Sequence, residues 1–177
     1  MPTESFDVML TGGHPNSLGR TVEVVDAVLA DPDRLDELYA CYTSADEVVR
    51  LRTSNALKRI CSRRPELLVP YVDRLISEVA AVPQPSAQWT LSQIFGMLGD
   101  RLSPAQRAGA LRVMKRNLDE NHDWIVQNQT MQTLAEWATT DEELKAWVRP
   151  RIDARVRDAR RSIAKRAVKL RRSLDDG

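Results

Sequence analysis

DEVVRLRTSNALKRI, residues 46–60, places small or apolar side chains three and four positions apart. The members of this series are Val49, Thr53, Ala56, Leu57 and Ile60. Such spacing is typical of the buried face of an amphipathic α-helix, and an aspartate such as Asp46 is a good residue to start one. We therefore predict a helix here with one face in a core.

The apolar positions of this helix recur along the chain. The residues equivalent to Val49 follow at intervals of 38, 39 and 37 residues and are Ala87, Val126 and Ile163. The residues equivalent to Ile60 follow at the same intervals and are Leu98, Trp137 and Leu174. Two further series, in the intervening helices, repeat every 38 residues. One series is Leu38, Ile76, Met114 and Ile152, and the other is Tyr42, Ala80, Leu118 and Val156. Two interleaved helix types with one period predict a stack of helix pairs.

This period, the two helices per unit and the acidic, apolar-Arg pattern of residues 46–60 resemble the HEAT/armadillo-like helical repeats, and small bacterial HEAT-like proteins in particular. The resemblance covers about residues 17–174. It implies an all-α fold, a right-handed α-α superhelix (solenoid) of about four HEAT-like helix pairs. Because that family shares an architecture and no chemistry, it implies no activity. We expect an N-terminal extension and loop over residues 1–16 and a single repeat domain over residues 17–177.

Composition favours a globular protein of the cytoplasm. Of the 177 residues, 42% are hydrophobic and 29% are charged, which argues against a disordered chain. No apolar run approaches the ~20 residues of a membrane-spanning helix, and the start of the chain lacks the features of a secretory signal. Two cysteines, Cys41 and Cys61, lie on apolar helix faces and are expected to be buried, reduced thiols. Only Phe6, Val8 and Leu10 alternate as in a strand.

Arg50 and Arg52 fall on opposite flanks of the apolar stripe when 100° is advanced per residue. Neighbouring helices of a solenoid touch at these flanks, so we expect both arginines to connect helices, with a basic recognition edge as the alternative. The amide-rich segment QNQTMQ, residues 127–132, includes the equivalent of Arg50 at Gln127. Its amides are divided between flank and exposed positions, which favours a structural role over pairing with adenine.

By the resemblance, the second helix of each pair lines a concave groove. Projection places a row of six residues on its exposed side: Leu51, Asn55, Trp89, Gln93, Asn128 and Gln132. Exposed tryptophans are enriched where proteins bind partners. Our first functional hypothesis is a non-catalytic scaffold that binds a protein or peptide in this groove, anchored at Trp89. In the alternative interpretation Trp89 covers a neighbouring repeat.

Charge is unevenly distributed along the chain although the net charge is only +1. Residues 1–48 hold ten acids and two bases, a local net charge of −8, whereas residues 149–177 hold eleven bases and four acids, a local net charge of +7. The candidate anion-binding residues of the basic segment are Arg160, Arg161, Lys165, Arg166, Lys169 and Arg172. Three hypotheses follow: a solvated end cap, binding of nucleic-acid phosphates, and head-to-tail self-association.

Some alkylpurine DNA glycosylases are built on HEAT-like repeats, which extends the nucleic-acid alternative to DNA repair. Those enzymes need aromatic and acidic residues clustered on the concave face, and no carboxylate can be assigned beside Trp89. The two histidines, His14 and His122, have no cysteine or carboxylate at ligand spacing, so we expect no metal, no cofactor and no catalytic residue.

The segment TGGHPNSLGR, residues 11–20, lies largely outside the repeat. The glycines at Gly12 and Gly13, with Pro15 and Gly19, suit a tight loop that leads into a helix. Such a loop can bind an anion on free N–H groups beside Arg20. The competing hypothesis, which we favour, is a loop that closes the first helix of the stack.

Overall fold

The computed structural model describes residues 4–176, which form ten α-helices joined by short 3₁₀ turns and loops, with no strand in that range. The helices are α1 Phe6–Leu10, α2 Thr21–Ala30, α3 Leu35–Ala40, α4 Glu47–Arg63, α5 Val72–Ser77, α6 Pro85–Leu98, α7 Pro104–Glu120, α8 Trp124–Ala138, α9 Glu142–Arg155 and α10 Arg161–Asp176. The prediction of an all-α protein is confirmed. None of these helices has the length and hydrophobicity that a bilayer crossing requires.

The chain divides into two compact units, Met1–Thr90 and Leu91–Gly177. In the first unit α4 contacts α1, α2 and α3. In the second unit α8 contacts α7, α9 and α10, and α9 also contacts α10. The first unit includes all of α1, which lies within the predicted N-terminal extension (residues 1–16), and the α1 side chains Phe6 and Leu10 are fully buried.

That first helix contains the one segment of the sequence that alternates as a strand would. Phe6, Val8 and Leu10 alternate in sequence, yet the segment is a single helical turn in which Phe6 and Leu10, four residues apart, face the core. Val8 is 53% exposed. A segment this short cannot reveal its period from sequence alone, because two apolar residues at i and i+4 fit a strand and a helix equally well.

The predicted repeat positions have equivalent structural roles. Val49, Ala87, Val126 and Ile163 are each the third residue of their helix, in α4, α6, α8 and α10, and each is at most 1% exposed. Ile60, Leu98, Trp137 and Leu174 are also buried. Both cysteines are buried as expected, and burial raises the pKa of the Cys41 thiol to about 11, so this thiol stays protonated at neutral pH.

The intervening helices follow the period less well. Leu38, Met114 and Ile152 are fully buried, but Ile76 and Val156 are only half-buried. Before Ile76 the chain passes through two 3₁₀ turns, Pro65–Leu67 and Val69–Tyr71, and α5 has only six residues. Because a 3₁₀ turn has three residues instead of 3.6, these turns rotate the following helix, and Leu75 is buried in place of Ile76.

Aspartates begin several helices. The carboxylates of Asp46, Asp123 and Asp141 accept hydrogen bonds from backbone N–H groups in the first turns of α4, α8 and α9. Ser103 and Gln106 form a reciprocal capping box at the start of α7. These caps satisfy N–H groups that a helix leaves without intrahelical partners, so they fix where each helix starts.

A second type of hydrogen bond, from a side chain to a backbone carbonyl, recurs near the start of three helices. Arg50 Nη1 donates to the carbonyl oxygen of Ser44 at 2.6 Å, Gln88 Nε2 to that of Val82 at 2.7 Å, and Gln127 Nε2 to that of Asn121 at 2.5 Å. The acceptor lies six residues before the donor each time. We call these contacts the i−6 clamps. Each ties its helix to the loop that precedes it.

The clamps confirm a structural role for Arg50 and refine its geometry. We expected contacts to a neighbouring helix. Arg50 Nε instead donates at 2.7 Å to Oε1 of Gln84, the loop residue just before α6, and Arg50 also binds its own preceding loop. The side-chain amide of Gln127 forms further hydrogen bonds besides its i−6 clamp. Its Nε2 also donates to the carbonyls of Asn117 and Leu118, while its Oε1 accepts from Arg155 Nε at 2.7 Å.

Replacing Gln127 with methionine keeps the length of the side chain and removes these hydrogen bonds. Because several buried acceptors then lose a donor, we expect the free energy of unfolding of the second unit to fall by about 2 kcal/mol. Urea unfolding followed by circular dichroism measures this loss. Gln129→Met, at a half-buried position two residues further along α8, is the matched control and should change little. Equal losses in the two variants would contradict the clamp.

Candidate functional site

In the first unit, the predicted groove residues are half-buried. Leu51, Asn55 and Trp89 all have intermediate exposure, so neither apolar side chain is the fully exposed anchor that the projection suggested. Asn55 Oδ1 accepts from Arg59 Nε at 2.7 Å, one helical turn further along α4. This amide oxygen is therefore already used within its own helix.

In the second unit, the placement of Asn128 corrects the projection. Asn128 is 6% exposed, because α10 packs on α8 and brings Ser162 within 3.3 Å of Asn128 Nδ2. Its Oδ1 has no hydrogen-bond partner among the described residues, and the same is true of Gln93 Oε1. Gln132 donates to Glu136 and accepts from Arg166 Nη1 at 2.7 Å. The amide row is thus mostly engaged within the protein.

Burial also decides the role of the segment at residues 127–132. Gln127, Asn128, Thr130 and Met131 are all buried. Thr130 Oγ1 shares a hydrogen bond with Ser92 Oγ at 2.9 Å. A base-reading surface needs amides whose donors and acceptors face solvent. The structure therefore supports the structural role that we predicted for this segment.

The loop at residues 11–20 surrounds a cation. The guanidinium of Arg52, a residue that is only 2% exposed, donates to four carbonyl oxygens of residues 10–17. The contacts are to Leu10 at 2.7 Å, Gly12 at 2.6 Å, His14 at 3.2 Å and Ser17 at 3.2 Å. We call this arrangement the Arg52 cage. Arg52 is thus a connecting residue, as predicted, but its partner is the loop.

The polarity of the cage argues against an anion site. Carbonyl oxygens, which carry partial negative charge, point into the loop, whereas an anion would need N–H groups there. Arg20, the cation expected to assist, instead forms ion pairs with Glu4 at 2.8 Å and Glu23 at 3.0 Å. The structure favours the hypothesis of a closing loop.

Glycines make the cage possible. Gly12, Gly13 and Gly19 have φ values of +74°, +75° and +50°, a region that other residues rarely adopt. A Cβ atom at Gly19 would lie 2.8 Å from Cζ of Arg52, whereas one at Gly12 would meet nothing within 4 Å. Gly19 is thus required both for its backbone conformation and for its close approach to the guanidinium.

Among the described residues, no three His, Cys, Asp or Glu side chains gather in a way that could hold a metal ion. The backbone carbonyl of His14 serves the Arg52 cage, and that of His122 accepts from Arg160 Nη1 at 2.7 Å. Both histidines therefore contribute to structure through their backbones, and His14 Nδ1 also accepts from the backbone N–H of Asn16 at 3.2 Å.

The basic residues of α10 and the loop before it separate into two groups. Arg160 pairs with Asp158 at 2.9 Å and thereby lowers the pKa of that carboxyl to about 2, while Arg166 binds Gln132. The other four are exposed, and no ion pair of the described residues involves them: Arg161, Lys165, Lys169 and Arg172. Their spacing of four, four and three residues places them along one side of α10.

Three of these cations surround a shallow depression. Lys165, Lys169 and Arg172 line it together with Val168, Ser173 and Asp176, and its volume is about 650 Å³. The opposite side of α10 is apolar and buried, with Ile163, Ala167, Leu170 and Leu174 in the core. We call the exposed side, defined by Lys165, Val168, Lys169 and Arg172, the basic face. It is the best candidate for a binding surface in the second unit.

Sequence analysis missed one cluster in the first unit. The Arg74 guanidinium lies 4.1 Å from the centre of the Tyr39 ring and 5.9 Å from that of Tyr71, and Arg74 Nε donates to Glu78 Oε1 at 3.3 Å. Burial raises the pKa of Tyr71 to about 12, with a contribution from its hydrogen bond to Asp36. No motif marks these residues, because they meet only through folding. Within the cluster Arg74 pairs with Glu78, and Tyr71 donates to Asp36 of α3.

Replacing Arg52 with lysine tests the cage. An ammonium on a flexible chain has three donors and cannot reproduce the planar fork that meets four carbonyls, so we expect the free energy of unfolding to fall by about 2 kcal/mol. Urea unfolding of the full chain measures the change. Arg59→Lys, which disturbs a single contact to Asn55, is the control and should cost less than about 1 kcal/mol. A similar small effect at Arg52 would contradict the cage.

Alanine substitutions at two glycines separate backbone strain from steric clash. Gly12→Ala and Gly19→Ala both place a side chain at positive φ, which costs about 1 kcal/mol. Only Gly19→Ala also drives a Cβ into Arg52, so its melting temperature should be lower than that of Gly12→Ala by the equivalent of about 2 kcal/mol. Matching melting temperatures would show that the loop moves freely away from Arg52.

Comparison with known proteins adds no family to this picture: no family model matches the chain, and no curated protein or solved structure matches it either.

Proposed function

We propose that the chain is a HEAT-like helical-repeat module that binds an acidic protein or peptide segment on the basic face of α10 and catalyses no reaction. The repeat positions support the HEAT-like part of the proposal, because the third residues of α4, α6, α8 and α10 are equivalent and buried. The i−6 clamps recur in the same register. A right-handed superhelix of about four helix pairs is the arrangement that we propose for them.

The observation that supports binding is the set of free cations around Val168. Lys165 and Arg172 are seven residues apart, so they span about 10 Å along the helix axis. Carboxylates on a peptide can match this row, while an apolar side chain of the peptide contacts Val168 in the depression. Most amides of the predicted concave groove are already engaged, so the basic face is the stronger candidate. The groove anchored at Trp89 stays a separate prediction.

Nucleic acid is the second candidate, and the same cations favour it because phosphates bind exposed lysine and arginine without sequence preference. Val168 at the centre of the face distinguishes the two ligands, since an apolar side chain complements a peptide better than a phosphate backbone. A cytoplasmic location, which we propose from the two free cysteines, is compatible with either ligand.

Charge reversal on the basic face tests the proposal. The probe is a fluorescein-labelled peptide in which glutamate alternates with leucine, and fluorescence anisotropy at low salt measures its binding. We expect Lys165→Glu/Lys169→Glu to weaken binding by about tenfold or more, because each reversal turns an attraction into a repulsion. The control Arg101→Glu/Arg112→Glu alters net charge equally at exposed positions elsewhere in the second unit and should bind normally.

A 20-base-pair duplex is titrated in parallel. Duplex binding that is tighter than peptide binding, falls steeply with salt and is lost in the Lys165/Lys169 variant would replace our proposal with the nucleic-acid function. Absence of binding to both probes, or equal binding by the two variants, would remove the basic face as a site.

A further inference from the structure

The first unit carries exposed carboxylates that are opposite in charge to the basic face. Asp7 on α1 and Asp31 and Asp33 after α2 are exposed, and no ion pair or side-chain hydrogen bond among the described residues involves their carboxylates. We call these three residues the acidic patch. Two contacts hold α1 beside the turn that carries Asp33: Phe6 N donates to Glu37 Oε1 at 2.8 Å, and Arg34 lies 3.8 Å over the Phe6 ring.

Five of the seven other acids in residues 1–48 lie in ion pairs. Glu4 and Glu23 pair with Arg20, and Glu37 pairs with Arg34. Asp26 and Asp36 pair with Arg63 and Arg74, respectively. Among the described residues, the acids of this segment without an ion pair are Asp7, Asp31, Asp33, Asp46 and Glu47, and the acidic patch holds three of these five.

The acidic patch and the basic face match in composition as well as in sign. Each has three like charges and a valine beside or among them: Val8 follows Asp7 in sequence and is 53% exposed, and Val168 lies among the cations. Charges that surround an apolar contact are the usual arrangement of a small protein interface, with a dry centre and a polar rim.

We propose that the basic face of one copy binds the acidic patch of a second copy, so that the chain associates head to tail. This inference rests on the proposed function, because it names the partner of the same basic face. The two contacting surfaces differ, so the interface is heterologous, and each bound copy still offers one free surface for another. Copies can therefore add one after another.

A second copy suits this face better than an unrelated acidic protein on two grounds. Every copy carries both surfaces, so the partner is present at the same concentration as the binding face. The net charge is only +1, so two copies experience little overall repulsion as they approach. Pairing of two basic faces or of two acidic patches is disfavoured by like charges, which leaves the mixed contact.

The contact should be weak and sensitive to salt. One helix side meeting one small patch buries less than the roughly 1,200–2,000 Å² of a stable interface. Exposed charges are screened beyond about 10 Å at 0.1 M salt, so association should be evident at low ionic strength and lost at high ionic strength.

Sedimentation velocity of the full chain, over a range of concentrations at about 20 mM and about 0.5 M NaCl, provides the test. Two neutralised variants are compared with the wild type. Lys165→Gln/Lys169→Gln/Arg172→Gln removes the basic face, and Asp7→Asn/Asp31→Asn/Asp33→Asn removes the acidic patch. Circular dichroism and urea midpoints establish that both fold. Arg101→Gln/Arg112→Gln is the control for lost positive charge and should associate as the wild type does.

The expected results follow from the heterologous contact. The wild type forms species larger than a monomer at low salt, and each neutralised variant alone stays monomeric. An equimolar mixture of the two variants forms a 1:1 complex and nothing larger, since only one intact surface of each kind is present. A wild type that stays monomeric at the highest concentration and low salt would overturn the inference, as would either variant that associates as the wild type does.

The acidic-peptide assay separates this inference from the proposed function. Peptide binding by a wild type that remains monomeric overturns self-association alone. A wild type that neither binds the peptide nor self-associates overturns both the proposed function and this inference. Peptide binding that persists in the Asp7/Asp31/Asp33 variant, together with its failure to self-associate, supports both.

Discussion

The first unit depends on the buried guanidinium of Arg52. A cation removed from water is costly unless its donors are satisfied, and here four backbone carbonyls of residues 10–17 supply the acceptors. Those carbonyls can converge only because the loop turns through glycines at positive φ and approaches the guanidinium closely at Gly19. The composition of the loop is thus dictated by a side chain more than thirty residues away in sequence.

The same principle explains why so many polar side chains are unavailable for ligands. In the sequence, Gln127, Asn128 and Gln132 resemble a recognition surface. In the structure they form hydrogen bonds with a loop, a serine and an arginine of the same unit, respectively. Buried donors and acceptors are costly when left without partners, so a helix that packs on both sides uses its amides internally. Helix α10 differs because Lys165, Lys169 and Arg172 on its outer side form no ion pair among the described residues, and this is the side that we propose as a binding surface.

Periodicity in the sequence predicted the parts of the fold that depend on one helix alone. It identified the third residues of α4, α6, α8 and α10 and their burial. It was wrong at Ile76, where two 3₁₀ turns shift the phase, and at Asn128, where α10 covers a position that projection left exposed. A helical projection contains no information about which neighbour covers which side. For the same reason the sequence placed Arg52 on a flank without revealing the loop that encloses it.

In the proposed head-to-tail association, the segregation of unpaired charge would determine which contacts between copies are favourable. If Asp7, Asp31 and Asp33 alternated with lysines on one surface, that surface could pair with itself and with many others. With a single sign of charge on each surface, contacts between two like surfaces would be repulsive, so the specificity of the proposed association would arise from the excluded contacts as much as from the favourable one. A net charge of +1 conceals this arrangement, because net charge reports the sum and not the position of the charges. The positions of the unpaired charges are known only once the structure shows which carboxylates and cations lie in ion pairs.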